Sequence, residues 1–218
     1  MDKQFRNLYL EDEKIMKRTV LLFLLSNYAD WEAGYVAAEL NFDDESNPYC
    51  IKTIGISKES VHSIGGLRVL PDYSLETVPE DYEALILIGG TGWRASESEK
   101  IVPLVKATLQ KDRPVAGICD GSVFLAKHGF LNDVKHTSNS LEDLEKYAAN
   151  EYTNSEGYLN EPAVADGNII TANGTSPLEF ARLVFSRLHL DSEEMIKQWY
   201  DFNKLGEIEA KKIYGTEL

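Results

Sequence analysis

Three short and almost wholly apolar runs constrain the fold of this chain most strongly. They occupy residues 19–25, 84–88 and 114–118, and a loop and a segment with helical spacing of apolar residues follow each. A strand without a polar face is buried on both sides, as in a parallel sheet that helices cover on both faces. The alternation predicts one doubly wound α/β domain with a mostly parallel sheet as its middle layer.

The other elements follow from apolar periodicity and turn residues. Strands are predicted at 49–56, 67–70, 134–138 and 168–172. Helices are predicted at 31–40, 97–111, 141–149 and 177–188, with a further helix from Cys119 to near Gly129 and one amphipathic helix over 192–214. Residues 1–15 are polar and acidic and are interpreted as an N-terminal extension ahead of a single domain at 16–218.

The charge balance limits the classes of partner. Of the 218 residues, 36 are acidic and 22 are basic, which gives a formal net charge of −14 and repels phosphate backbones and anionic membrane surfaces. The apolar run at 19–25 is far shorter than the roughly 20 residues that span a bilayer. The sequence therefore predicts neither a nucleic-acid nor a membrane partner, and its two cysteines fit a reducing cytoplasm.

The segment Gly117-Ile118-Cys119-Asp120-Gly121 places a cysteine between an apolar strand and a helix. This is the pattern of a nucleophile elbow: glycine, any residue, nucleophile, any residue, glycine. In such an elbow a sharp turn raises the central side chain above the sheet. We expect the N-terminus of the following helix to stabilise a thiolate and lower the pKa of the thiol. The alternative is an inert buried cysteine.

Reactive groups in such sheets collect at the carboxyl ends of the strands. Glu32, in the loop after the first strand, can share a proton with the thiol, or it only complements a helix N-terminus. The Gly90 amide can pair with the Asp120 amide to hold an oxyanion, or Gly89-Gly90 is a plain turn. Trp31 and Trp93 flank these loops and are candidates for the pocket wall, or else for the core or an interface.

The four histidines are poorly placed to assist Cys119. If 134–139 is extended, His136 and Asn139 face opposite ways, so only one of them can address the pocket. No group of His, Cys and carboxylates has metal-ligand spacing, and neither a P-loop nor a GxGxxG motif is present. The sequence therefore predicts no metal and no cofactor.

Together these motifs resemble those of the DJ-1/PfpI superfamily, relatives of the class I glutamine amidotransferase domain. The resemblance runs from about Lys17 to Leu188 and includes Tyr28-Ala29-Asp30-Trp31-Glu32, Ile88-Gly89-Gly90, the elbow, and Thr171-Ala172-Asn173-Gly174-Thr175-Ser176-Pro177-Leu178-Glu179-Phe180-Ala181. It implies a flavodoxin-like three-layer sandwich and a homodimer. It also implies Cys119 as nucleophile, Glu32 hydrogen-bonded to it, and oxyanion donors at the Gly90 and Asp120 amides.

The chain departs from the pattern of this family at its histidines. Asp120 stands where peptidase-like members have a histidine, and Asn139 stands where others carry one in a Thr-Thr-His-like segment. A late His-x-Glu pair, typical of true amidotransferases, is missing from the sequence. Peptidase activity and glutamine hydrolysis are therefore not expected.

Three functional hypotheses remain from the sequence. The first is a cysteine-dependent enzyme of hydrolase or glyoxalase type that acts on a small carbonyl or amide substrate through Cys119. The second is a redox-sensing or stress-response protein with an oxidisable Cys119. The third is a relative that has kept the elbow without its chemistry, such as an amidotransferase-like protein lacking the histidine partner.

Overall fold

The computed structural model describes residues 17–42 and 46–215, which contain nine strands and seven α-helices. The strands are β1 Arg18–Phe23, β2 Tyr49–Gly55, β3 Val61–His62, β4 Arg68–Val69, β5 Tyr73–Ser74, β6 Ala84–Leu87, β7 Val115–Ile118, β8 Ala163–Asp166 and β9 Ile169–Ala172. The helices are α1 Asp30–Leu40, α2 Val102–Gln110, α3 Asp120–Lys127, α4 Leu141–Ala148, α5 Pro177–Leu188, α6 Glu193–Leu205 and α7 Glu207–Tyr214.

Seven of the strands form one sheet in the order β5-β2-β1-β6-β7-β9-β8. Every neighbouring pair is parallel except β8 with β9 at one edge. The sheet is mostly parallel and helices flank it, so the predicted flavodoxin-like α/β sandwich is confirmed. The carboxyl ends of β1, β6 and β7 lie side by side, which brings together the three loops that the sequence singles out.

The apolar strands separate two cores because successive side chains point to opposite faces. Leu22 and Ile86 face the side that α1 and α5 cover, together with Val36 and Phe180. Their neighbours Leu21 and Leu85 face the other side, where α2, α3 and α4 pack. Burial on both faces explains why these strands read as continuous apolar runs.

Two predicted elements are wrong. Residues 134–138 form no strand, because the pairing reduces to a single bridge between His136 and Tyr158. The predicted helix over 192–214 is two helices, since Gly206, with φ of 84°, leaves the helical conformation between α6 and α7.

Three other elements differ from the sequence-based prediction. The predicted helix at 97–111 begins as a 3₁₀ helix at Ser96–Ile101, and α2 starts only at Val102, with Pro103 in its first turn. The extended segment at 67–70 is β4, which pairs with β3 outside the main sheet. The turn at Asp166-Gly167 joins β8 to β9 as a hairpin, and β8 has no counterpart among the predicted strands.

The predicted N-terminal extension at 1–15 lies outside the described residues. Over 17–42 and 46–215, no helix has both the length and the apolar character needed to cross a membrane.

The α3 helix packs closely enough on the sheet to exclude a side chain at Gly121. A Cβ atom there would lie 2.6 Å from the Leu87 carbonyl oxygen of β6, which is backbone and cannot move aside cheaply. We expect Gly121→Ala to lower the free energy of unfolding by about 1–3 kcal/mol in a urea titration.

The control for that substitution is Gly34→Ala in the middle of α1, where a Cβ atom meets nothing within 4 Å. Alanine there should raise the free energy of unfolding by up to about 1 kcal/mol, because it is the better helix former. Equal effects of the two substitutions would contradict the close approach of α3 to β6.

Candidate active site

Cys119 occupies a strained turn between β7 and α3. Its φ is 56° and its ψ is −125°, a region that non-glycine residues avoid at a cost of about 1–3 kcal/mol. The turn is held because the Cys119 amide donates to the Ala172 carbonyl at 2.9 Å, and the Ser122 hydroxyl donates to the Cys119 carbonyl at 2.6 Å. The strand, turn and helix predicted for a nucleophile elbow are therefore present.

Glu32, the third residue of α1, points into the protein instead of into solvent. Only 1% of it is exposed, and its Oε2 accepts a hydrogen bond of 2.8 Å from the Gly89 amide. Its Oε1 is buried and has no conventional hydrogen-bond partner among the described residues. Burial raises the pKa of Glu32 to about 7, although hydrogen bonding to Cys119 and Gly89 opposes the rise.

The Glu32 carboxyl and the Cys119 thiol lie against the same glycine. A Cβ atom on Gly174 would lie 2.9 Å from Glu32 Oε1 and 3.0 Å from Cys119 Sγ. Glu32 Oε1, which has no conventional hydrogen-bond partner, and Cys119 Sγ therefore both lie beside Gly174 in the β9–α5 loop. Only a residue without a side chain leaves both atoms in place.

Burial also raises the pKa of the Cys119 thiol, to about 12, and the charge on Glu32 adds to the rise. The predicted lowering by the α3 N-terminus is wrong, because burial and the neighbouring carboxylates outweigh it. Two acids at one site behave as a pair. This pair gives up its first proton near neutral pH and holds the second firmly.

Asn139 bridges the sulfur and the β9–α5 loop. Its Nδ2 donates to Cys119 Sγ at 3.3 Å, and its Oδ1 accepts from the Gly174 amide at 2.9 Å. His136 is fully buried elsewhere, with Nε2 2.7 Å from the Tyr152 hydroxyl. Of these two residues, Asn139 lies beside the sulfur and His136 does not.

The two candidate tryptophans have different positions. Trp31 is 52% exposed, and its Nε1 donates to the Gly174 carbonyl at 2.9 Å, so its ring stands at the rim of the site. Trp93 is 2% exposed, and its ring packs 4.8 Å from that of Phe124 in the core. The interpretation of Trp93 as a pocket residue is wrong, since its apolar surface faces α3 and β1.

The two proposed oxyanion donors sit on adjacent loops. Gly90 follows β6 with a φ of 139°, and its carbonyl accepts from the Trp93 amide at 3.3 Å. The Asp120 amide hydrogen-bonds the Cys119 thiol and favours its thiolate form. Their role toward a substrate oxygen stays a prediction.

The Asp120 side chain does not point to solvent. It is 5% exposed, and the Arg94 guanidinium donates to both of its oxygens, at 2.9 and 2.8 Å. Sequence reasoning missed Arg94. The available signal was an isolated arginine in the loop after β6, at the sheet edge that also carries Asp120.

Two surface grooves lie away from the sulfur. One, of about 630 Å³, is lined by residues of α1, α5 and α6, and another, of about 510 Å³, lies between Trp31 and Trp199. Neither includes Cys119. In the described part of the chain, no group of three or more His, Cys, Asp or Glu residues could hold a metal ion.

The raised pKa of Glu32 makes folding stability depend on pH. The folded protein holds this proton more tightly than the unfolded chain, so the stabilisation is complete below pH 4.5 and is lost as the pH rises to about 7. Relative to Glu32→Gln, which never ionises, the wild type should lose about 3 kcal/mol of unfolding free energy over that range. Urea titrations at a series of pH values measure it, and parallel curves for the two proteins would contradict the shift.

Most of the chain matches one family of known proteins. A sequence model of the DJ-1/PfpI family matches residues 18–187. The chain is 36% identical to the uncharacterized protease YoaZ of Bacillus subtilis over 86% of its own length and 91% of the relative's. Deglycase TK1284 of Thermococcus kodakarensis is 32% identical over 55% of this chain and 73% of the relative.

Solved structures agree with the sequence match. A ThiJ/PfpI family protein from Bacillus anthracis superposes with a TM-score of 0.83 at 34% identity, over 90% of this chain and 94% of that one. The family match covers well over half of the chain and includes the elbow, Glu32 and Gly174. This chain belongs to the DJ-1/PfpI family.

Proposed function

We propose that this protein is a cysteine-dependent enzyme that acts on a small carbonyl or amide substrate, in a reaction of hydrolase or glyoxalase type. The observation that carries the proposal is a buried carboxyl group with a pKa of about 7 against the thiol of the elbow. A general acid or base works best when its pKa lies near the working pH. Membership of the DJ-1/PfpI family supports the same type of site.

The first step uses the single proton that the pair holds above neutral pH. When that proton resides on Glu32, Cys119 is a thiolate and Asn139 donates a hydrogen bond to its sulfur. A hydrogen bond to the charged form stabilises it, so a small fraction of thiolate is available although the thiol pKa is high. Asn139 supplies this hydrogen bond but cannot carry a proton, so proton transfer falls to Glu32.

In the second step the sulfur attacks the substrate carbonyl carbon. The S–C bond forms, and the electron pair of the C=O bond moves onto the oxygen. The amides of Gly90 and Asp120 are the proposed donors to this oxyanion, because both lie on loops beside the sulfur. Donors fixed before the reaction stabilise developing charge without reorganisation.

The two reaction types differ in the fate of the oxyanion. In a hydrolase, the oxyanion collapses, the C–N or C–O bond breaks, and the leaving group takes the Glu32 proton before water cleaves the thioester. In a glyoxalase, Glu32 first gives its proton to the oxyanion, and the resulting carboxylate removes the proton from the thiohemiacetal carbon and returns it to the adjacent carbon. The hydroxyl proton moves to the neighbouring oxygen, which leaves a thioester, and water then cleaves the S–C bond to release a hydroxy acid and the thiol. Both types need a carboxyl group that exchanges its proton near pH 7, as Glu32 does.

The names of the relatives point to two chemistries, protease for YoaZ and deglycase for TK1284. A peptidase of this family would use a histidine beside the cysteine, but Asp120 occupies that position with its carboxylate bound to Arg94. Hydrolysis or rearrangement of a small carbonyl compound fits the described side chains better. The exposed face of Trp31 offers apolar surface for such a substrate.

A second candidate function is oxidant sensing. Glu32 Oε1 is buried beside the sulfur without a conventional partner, and in its protonated form it can donate to a sulfinate oxygen on Cys119. Cys50 on β2 is a free cysteine of the same intermediate exposure, so it is an internal reference.

Substitution of the nucleophile tests the leading proposal. Cys119→Ser should abolish turnover across a panel of glyoxals, small amides and esters, because the alcohol is a far weaker nucleophile without a strong base. Cys50→Ser is the matched control and should keep wild-type rates. Turnover that survives Cys119→Ser would refute the proposal.

Glu32→Gln should separate thiol reactivity from catalysis. Removing the carboxylate charge lowers the pKa of the thiol, so iodoacetamide should alkylate Cys119 faster at pH 8 than in the wild type. Turnover should nevertheless fall by about 10²–10⁴, because glutamine cannot exchange a proton. If both rates rise together, Glu32 is no proton carrier.

Mild peroxide treatment tests the sensing function. Mass spectrometry should find sulfinic acid at Cys119 before Cys50, because the protonated Glu32 carboxyl can donate to the sulfinate oxygen. Equal oxidation of the two cysteines would exclude a dedicated sensor.

A further inference from the structure

Arg94 joins three elements that carry the site. It ends the 3₁₀ turn Thr91–Arg94, which follows Gly90. From there its guanidinium binds the Asp120 carboxylate at the start of α3 through Nε and Nη2, at 2.9 and 2.8 Å. Nη2 also binds Asp143 Oδ2 at 3.2 Å in the first turn of α4, and Cζ lies 4.0 Å from the centre of the Tyr147 ring.

The carboxylate that Arg94 binds stands in an unfavourable place for a nucleophile. Asp120 directly follows Cys119 and is almost fully buried. Its negative charge raises the pKa of both the Cys119 thiol and the Glu32 carboxyl. A buried charge without a partner is costly, and a bidentate guanidinium is a strong partner for a carboxylate.

The other groups around the sulfur offer no comparable positive charge. Glu32 faces it from α1, the loop before α4 contributes the neutral Asn139, and the β9–α5 loop contributes the Gly174 backbone. From α4, Asp143 adds a second negative charge on the far side of Arg94. In the described ranges, Arg94 is the cation that forms ion pairs with Asp120 and Asp143.

We infer that Arg94 is a positioning residue for the nucleophile, which neutralises Asp120 and holds α3 and α4 against the turn that follows Gly90. The inference rests on the proposed function, in which Cys119 must form a thiolate, and it explains how a chain with Asp120 beside its nucleophile can do so. Arg94 does not touch the sulfur. It acts through the charge and orientation of Asp120, and through the helix that follows the Asn139 loop.

The test is the rate of Cys119 alkylation by iodoacetamide as a function of pH, in a Cys50→Ser background so that a single thiol reacts. Arg94→Ala leaves the Asp120 charge without its partner, so the alkylation rate at pH 8 should fall about tenfold, equivalent to one unit of thiol pKa. Asp120→Asn removes that charge and should raise the rate. Arg94→Ala with Asp120→Asn should return the rate to within about threefold of the parent.

Arg113→Ala is the matched control. Arg113 binds Asp81 at 3.1 Å and lies over the Tyr82 ring, as Arg94 does with Asp120 and Tyr147, but at the opposite end of the sheet. Its loss should leave the alkylation profile of Cys119 unchanged. Slower alkylation in this variant would mean that the loss of any surface arginine lowers the alkylation rate of Cys119, which would overturn the inference.

Two results would overturn the specific role of Arg94. An unchanged or faster rate in Arg94→Ala would show that it does not influence the thiol. A slow rate that Asp120→Asn fails to restore would show a purely structural role. If Arg94→Ala does not fold, Asp120→Asn alone still decides the matter, because an unchanged or slower rate contradicts the charge argument.

Alkylation needs no substrate, so this test stands apart from the proposed function. If no carbonyl compound is turned over but the alkylation cycle behaves as expected, the proposed function fails and the role of Arg94 holds. If turnover depends on Cys119 but Arg94→Ala alkylates normally, only the role of Arg94 fails.

Discussion

A buried carboxyl group held against a partly buried thiol is the feature on which the site depends. Glu32 reaches the sulfur from the first helix, and the Gly89 amide fixes one of its oxygens while the other faces Gly174 beside Cys119. Two acids this close cannot both ionise near neutral pH, so the second proton stays on the pair. The packing therefore places the carboxyl and the sulfur where the proposed mechanism requires a proton to pass between them.

Hydrogen bonds to the backbone of Cys119 and Gly174 hold this arrangement in place. The strained turn at Cys119 is held by β9 and by Ser122, so the thiol cannot relax away from the carboxyl. Gly174 is fixed from both sides, through its amide by Asn139 and through its carbonyl by Trp31. Such a site is rigid around the sulfur, and the half-exposed indole lies at its rim.

The parts of this site that sequence predicts are those encoded locally. The elbow at Cys119 is a five-residue pattern between a strand and a helix, and the position of Glu32 follows from the parallel order of the strands. The direction of the thiol pKa shift is predicted wrongly from sequence, because burial depends on side chains brought from distant segments. Arg94 and the core position of Trp93 depend equally on tertiary packing, so local pattern predicts neither.

The Glu32 carboxyl is expected to keep its proton up to about neutral pH and to exchange it there beside the Cys119 thiol. Carbon-13 NMR of the Glu32 side-chain carboxyl, followed from pH 4 to 9 with the Glu32→Gln variant for assignment, measures this directly. A titration midpoint near pH 7 is expected, because burial raises the pKa of this carboxyl. A midpoint near 4.5, as for a glutamate in water, would show that the carboxyl is ionised at neutral pH and cannot supply the proton.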